Sequence, residues 1–556
     1  MAKKVITMDP GWPNATAIAV RDGKILSVGS MEDLKPWLIN SPYEIIDIFK
    51  DKIILPGFIE PHSHPIMGGL MLSLPLLSYF DQPNPYGPSF EGLKSKSLVL
   101  TKLGEYNKNL TDPNQTLVAW GYDKIAVGNP LTLNDLDQIS TTRPILVWEA
   151  SEHIMYANSA QLAQAGITKE STKINGVGTD TDGQPNGQFE GIEALELIGG
   201  KVIPPLISNN GIRHLVYMVD LSRKNGITTT SELDFGGIDF ETELDIYHQF
   251  FANSSDIPIR FVAIINPLKI PDSQKGDAIN YVRSLHANSS TDNMIFNGVK
   301  FFSDDAYLAL TMQMKDPGYI DGHRGLWNNL PGQNFLNIVL PWWSAGFHIH
   351  IHTNGIESQH AIVDMLSSLQ DTKPRFDHRF TFEHFGISSQ AQIKKLKELG
   401  GVVGINPYYI YHRGEINAGQ IGTDRAHKAS SMRTLLETGV TTTMHSDTPV
   451  GPPVPLEWVW IAVSRAGQSG KILAPSERVT IHDALKMITI DAAYVLGVDN
   501  MIGSIESGKF ADFVILEQDP YIVPSEKIRD ISIWGTVVGG KIYPANKIKT
   551  TPQRRD

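Results

Sequence analysis

The chain has 556 residues, 41% apolar and 19% charged, a globular balance that allows a large buried core and is too long for one simple unit. Its net charge of -12 argues against nucleic acid as a main partner, because binding phosphate needs a cationic face. The absence of cysteine excludes disulfides, thiolate metal sites and a cysteine nucleophile, so any metal must be held by His, Asp, Glu or a modified Lys.

Residues 5–56 read as short strands and turns. Ala17-Ile18-Ala19-Val20 passes through Arg21-Asp22-Gly23-Lys24 into Ile25-Leu26-Ser27-Val28-Gly29, a hairpin pattern. The stretch 502–543 reads alike and closes on a second hairpin, Val537-Val538-Gly539-Gly540-Lys541-Ile542-Tyr543. One small β-sandwich built from both ends, 1–56 and 496–556, is therefore expected. The basic stretch from Lys547 to Arg555 reads as a solvated tail. Between the ends, strands alternate with helical patterns, the mark of a parallel sheet or barrel. Eight strands are expected at 53–59, 226–233, 259–265, 298–303, 347–351, 379–382, 401–405 and 440–444. Eight such units predict an α/β fold, a (β/α)8 TIM barrel over 57–495. The gap after the first strand is too long for one crossover, which predicts an inserted lid subdomain at about 68–210. No run of eighteen apolar residues is present and the first residues lack an apolar leader, so a cytoplasmic location without membrane contact is expected, with export behind a removed leader left open.

The chemistry collects at the ends of these strands. His62 and His64 follow the first one, two residues apart. Extended side chains at that spacing point the same way, so the pair can share one metal ion at the barrel mouth. The fifth strand repeats the period at His348, His350 and His352. His352, nearest the C-terminal end, is read as a site residue, and the deeper two as hydrogen-bonded core histidines. His384 ends the sixth strand, and Asp447 ends the eighth as a ligand or base. Lys300 lies inside an apolar strand, where burial disfavours its charge and makes the neutral amine reactive. Two outcomes stay open for it: addition of carbon dioxide to give an N6-carboxylysine that bridges two metals, or pairing with Asp304 or Asp305. No G-x-S-x-G elbow is found, which sets a serine hydrolase aside.

An H-x-H after strand one, Lys after four, His after five, His after six and Asp after eight resembles the amidohydrolase superfamily. More narrowly the chain is similar to its amidohydrolase-3 group, the YtcJ-like proteins related to N-substituted formamide deformylases. The segments that carry this are Pro56-Gly57-Phe58-Ile59-Glu60-Pro61-His62-Ser63-His64, His153-Ile154-Met155-Tyr156-Ala157-Asn158-Ser159, Val299-Lys300-Phe301-Phe302-Ser303-Asp304, His445-Ser446-Asp447-Thr448-Pro449-Val450 and Glu506-Ser507-Gly508-Lys509-Phe510-Ala511-Asp512-Phe513. Asp304-Asp305 and Asn354-Gly355-Ile356 depart from the group's pattern beside the expected site, without removing a ligand.

The resemblance implies two divalent ions, zinc first and iron or manganese as alternatives. One would be held by His62, His64 and Asp447, the other by His352 and His384, with carboxylated Lys300 and a hydroxide between them. It implies cleavage of a carbon–nitrogen bond other than a peptide bond, in an amide, formamide or cyclic amide, with Asp447 moving the proton. Substrate contacts are expected from His153 and Asn158 in the insertion, and from Tyr307 and Tyr409; Trp120, Tyr122 and Tyr408 are further aromatic candidates. The expected partner is a small molecule with an apolar part, and a homodimer is left open. Two other readings compete. One is a one-metal deaminase using His62, His64, His352 and Asp447 with an unmodified Lys300. The other is a catalytically silent binding or regulatory relative.

Overall fold

A computed structural model of the chain describes residues 1–39, 42–253 and 256–546, so the basic stretch from Lys547 to Arg555 lies outside the described residues. The run 53–59, expected as one barrel strand, is two. Ile53–Pro56 joins a sheet of terminal strands, and Phe58–Glu60 (β1) opens the barrel. Gly57 divides them because a Cβ there would lie 1.9 Å from Thr228 Oγ1. Its N–H donates to Asp512 O at 3.0 Å, so only glycine lets the chain cross from one sheet to the other at this close approach.

The barrel continues through Ile227–Phe235 (β2), Arg260–Ile265 (β3), Met294–Phe302 (β4), Ile349–Thr353 (β5), Thr381–His384 (β6), Val402–Ile405 (β7) and Thr442–Met444 (β8). Neighbours pair in parallel in the order β1 to β8. The ring closes just beyond the ends of β8 and β1, where Asp447 N donates to His62 O and His64 N donates to Thr448 O, both at 3.0 Å. Strands buried on both faces need continuous apolar sequence, and β3 is buried along its whole length. A core of Ile59, Val262, Ile264, Ala492 and Leu496 packs within this body, each fully buried Val, Leu or Ile stabilising it by about 1.5–3 kcal/mol. β5 and β6 end two residues later than expected, because the polar His352, Glu383 and His384 disguise a strand end as loop. The ladder sets His352 opposite Glu383 and Thr353 opposite His384.

The terminal sheet has six strands in the order Asn14–Ala15, Lys4–Ile6, Ile53–Pro56, Phe513–Leu516, Ile533–Val538 and Lys541–Pro544. The hairpin Ala17–Arg21 and Lys24–Gly29 stands beside it as a separate pair. Both ends of the sequence thus share one apolar core that includes Val5, Ile25, Ile54, Phe513 and Val537.

The chain forms two compact units, Met1–His64 with Val219–Asp556, and Pro65–Met218. The second has its own five-stranded sheet, ordered Val177–Thr179, Pro185–Glu190, Ile154–Ala157, Ile145–Glu149 and Leu117–Tyr122. Its core holds Leu103, Ala119, Tyr122, Leu136, Val147 and Tyr156. Among the described residues no helix is long and apolar enough to cross a membrane.

Candidate metal centre

The turn that leaves β1 places His62 and His64. Glu60 accepts a hydrogen bond from His62 N at 3.2 Å and also bonds Ser446, tying this turn to the end of β8. Burial pushes the Glu60 carboxyl up to about 8. Ser63 donates to Ser231 O at 2.7 Å, which fixes the peptide between the two histidines. Each imidazole then meets a carboxylate through Nδ1: His62 meets Glu383 Oε2 at 2.9 Å, and His64 meets Glu232 Oε1 at 2.9 Å.

Asp447 lies where the other sides of these rings converge. Its Oδ1 is 3.3 Å from His62 Nε2 and 3.5 Å from His64 Nε2, and its Oδ2 is 3.6 Å from His384 Nδ1. His384 and Asp447 hold φ angles of 73° and 58°, a left-handed backbone that costs strain for a residue other than glycine. The turn at His384 breaks strand alternation, so Glu383 and His384, adjacent in β6, both reach this cluster. The His352 and His384 rings lie 4.3 Å apart. His352 Nε2 is already occupied, with Asn354 Nδ2 at 3.0 Å and Asp305 O at 3.3 Å.

Lys300 Nζ is buried 3.5 Å from His62 Nε2 and 5.1 Å from the centre of the Phe302 ring. Among the described residues it makes no ion pair with Asp304. The Asp304 carboxylate instead accepts the N–H groups of Gln313, Asn354 and Gly355. Burial lowers the Lys300 pKa, which favours the neutral amine.

The electrostatics suit cation binding. Burial, with the charge of Lys300 second, holds His62 well below its usual range; burial, with His352 second, does the same for His384. Burial pushes His352 and His445 down to about 4. Neutral imidazole is the form that binds metal. His64 differs: burial works to lower it, but its bonds to Asp447 and Glu232 outweigh burial and raise it well above the usual value. Burial acts to raise Asp447, yet its bond to His64 leaves it lowered and ionised. Among the described residues two groups of three ligand atoms lie within 4.8 Å of one another: His62, His64 and Asp447, and His62, His384 and His445. The residues present therefore fit a divalent ion with imidazole and carboxylate ligands.

Six expected ligands thus meet at one end of the barrel: His62, His64, Lys300, His352, His384 and Asp447. Three participants escaped the sequence reading. Glu383 also accepts His350 Nδ1 at 2.7 Å, Glu232 supports His64, and the buried His445 ring stacks on His62 at 4.5 Å. The dipeptide Glu383-His384 was the available signal, since a carboxylate inside a barrel strand needs a partner.

The expected substrate contacts fare differently. Asn158 is fully buried in the second unit, where its Oδ1 accepts Ile145 N and Gln161 N and its Nδ2 donates to Ser140 O and Arg143 O. All its hydrogen-bonding capacity is spent on backbone, so it is a helix cap and loop clamp rather than a substrate contact. His153 is partly buried at the turn before Ile154–Ala157 in the same unit. Trp120 and Tyr122 belong to that unit's buried interior. Tyr307 and Tyr409 stack at 4.2 Å, both buried, and the Tyr409 hydroxyl donates to Asn354 Oδ1 at 3.1 Å. Tyr408 donates instead to Pro452 O and Glu457.

A family model described as the Amidohydrolase family matches residues 44–544. The chain belongs to this family. Among its relatives, the chain is 27% identical to Protein LONG AFTER FAR-RED 3 of Arabidopsis thaliana, over 97% of this chain and 90% of that one. It is 25% identical to the N-substituted formamide deformylase of Arthrobacter pascens, over 96% of each. In fold it is similar to a metal-dependent hydrolase from Pyrococcus horikoshii OT3, with a TM-score of 0.71 and 20% identity over 94% of this chain and 97% of that one. The family assignment and this likeness agree with the eight-stranded barrel described above.

Proposed function

We propose that the chain is a metal-dependent hydrolase that cleaves a carbon–nitrogen bond other than a peptide bond, in an amide, formamide or cyclic amide. The observation that carries this is the meeting of His62, His64 and His384 on the two oxygens of Asp447, at 3.3, 3.5 and 3.6 Å. In this reading His62, His64 and Asp447 would hold one ion and His352 and His384 the other. Lys300 would contribute to the same centre as N6-carboxylysine, its neutral amine adding carbon dioxide and releasing one proton. Zinc suits the donor set. Such ions acidify water enough for attack at neutral pH and polarise a carbonyl.

The protein's own groups do the rest. Asp447 takes the proton of the attacking water and delivers it to the leaving nitrogen, a role whose loss typically costs about 10²–10⁴ in rate. The buried carboxylates Glu232 and Glu383 hold the two strand-one imidazoles in place. The Tyr307–Tyr409 stack supports a substrate with an apolar part. The 25% identity to a formamide deformylase supports N-formyl and N-acyl amines as the first compounds to try.

The test is metal analysis of the purified chain with a panel of N-acyl and N-formyl amines. About two ions per chain with turnover is the expected result, and Lys300→Ala should abolish turnover and lower metal content. A Lys300→Ala protein that stays active with full metal would remove the bridging role. One observation favours a second reading: both three-ligand groups need His62, whose Nδ1 is taken by Glu383. A single ion per chain with turnover of amino-substituted rings would make the protein a one-metal deaminase.

A further inference from the structure

Of the four histidines expected as ligands, only His62 and His64 are aimed by a carboxylate. A neutral imidazole carries one N–H, so whatever accepts it decides which nitrogen keeps the lone pair. On His62 and His64 a carboxylate accepts at Nδ1, from Glu383 and Glu232 at 2.9 Å each. On a neutral ring that bond leaves the lone pair at Nε2, a state that His64 reaches once a cation displaces its second proton, and both Nε2 atoms lie within 3.5 Å of the same oxygen, Asp447 Oδ1. These carboxylates come from two different strands, β6 and β2, and both are buried to within a few per cent.

The other pair lacks this support. Among the described residues His384 Nδ1 has no hydrogen-bond partner, and the Asp447 carboxylate lies 3.6 Å away. His352 Nε2 is held by the Asn354 amide and lies near Asp305 O. Asn354 is itself fixed by the Tyr409 hydroxyl on Oδ1 and by Asp305 O on Nδ2. To present Nε2 to a cation, His352 must part from these groups.

We infer that Glu383 and Glu232 make the His62–His64–Asp447 corner the strong ion position, and that the His352–His384 position fills second and more weakly. The inference rests on the metal-dependent reading above and adds an order of loading to it. Glu383 and Glu232 act through the histidines, so they are positioning residues. Partners of this kind typically change metal affinity about 10–100-fold. Glu383 carries a further constraint, because it accepts from His62 and His350 together. A glutamine there accepts one Nδ1–H and must donate to the other ring. Where that ring is His62, its proton moves to Nε2 and blocks the metal.

The experiment is titration of the metal-free, full-length protein with zinc chloride against a chelating dye, in bicarbonate buffer so that Lys300 is free to react. Two affinities at least tenfold apart are expected. Glu383→Gln and Glu232→Gln should each weaken the tighter one by about 10–100-fold and leave the weaker one within a few-fold. Asn354→Ala should strengthen the weaker one only. Should Glu383→Gln not fold, Glu232→Gln carries the same test beside the more accessible His64. Two ions taken up with one affinity, or folded variants that keep the wild-type tighter constant, would overturn the order of loading while leaving a metal-dependent hydrolase intact. A wild-type chain that takes up no zinc, iron or manganese would overturn the metal-dependent reading itself.

Discussion

Replacing Gly404 by alanine sets a methyl carbon against the carboxylate that holds His62. Gly404 lies on β7, paired with Glu383 across the ladder. Its φ is not among the left-handed ones, so alanine suits the backbone and only space is at issue. The new carbon would stand 2.5 Å from Glu383 Oε2, and 3.4 Å from both Glu383 Cδ and His445 Cδ2. Carbon atoms of this kind essentially never approach within 3.0 Å, so Oε2 must withdraw by at least about 0.5 Å. Its bond to His62 Nδ1 starts at 2.9 Å, and a shift of that size carries it to about the limit of a hydrogen bond. Losing a charge-assisted bond costs about 1.5–3 kcal/mol, and overpacking adds about 1–3 kcal/mol. The expected outcome is a barrel unit destabilised by about 2.5–6 kcal/mol and a tighter zinc constant weakened about 10–100-fold. Denaturant unfolding and zinc competition on the full chain measure both. Gly419→Ala, where a Cβ meets nothing within 4 Å, is the matched control. Should Gly404→Ala equal that control in both measurements, Glu383 does not position His62.

Three further outcomes follow from particular residues. Arg260 grips Asp512 with Nε at 2.6 Å and Nη2 at 3.0 Å, both residues buried, so Asp512→Ala should cost about 3–5 kcal/mol by stranding the guanidinium; a loss under about 1 kcal/mol in denaturant unfolding would contradict this. Asn158→Ala should lower the unfolding free energy of the second unit by about 1–3 kcal/mol and leave KM unchanged, since the side chain serves only backbone; a raised KM at unchanged stability would restore the substrate role. Burial lifts the Glu149 carboxyl from 4.5 to about 7. Between those values the unfolded chain loses the proton and the folded chain keeps it, so stability falls as pH rises through the window. Glu149→Gln removes this loss. Its advantage over wild type should grow from about pH 5 to pH 7, level off above pH 8 and reach at most about 3 kcal/mol, and a pH-independent difference would refute the assignment.

Much of the barrel and the core of its site are legible in the sequence because they rest on local geometry. Strands alternating with amphipathic stretches announce a parallel barrel, and the period-two spacing of His62 and His64 follows from extended backbone alone. Lys300 stands out because an ammonium in an apolar strand is physically conspicuous. Strand ends are harder to read. The polar residues of β5 and β6 look like loop, and the break at Gly57 depends on Thr228, a residue that only folding brings within 1.9 Å of the missing Cβ.

What the chain order alone determined is which side chains arrive at the barrel mouth: ligand-type residues at the ends of β1, β4, β5, β6 and β8. What only tertiary structure decided is how each one is held. Glu383 meets His62 across 321 positions, and Glu232 meets His64 across 168, so no local pattern pairs them. The left-handed turn at His384 carries that ring into the cluster beside its neighbour Glu383, and Asn158 proves to be a clamp because its partners come from both sides of a folded loop. A side chain's identity is a property of the sequence, but the nitrogen it offers is chosen by whatever packs against its other face.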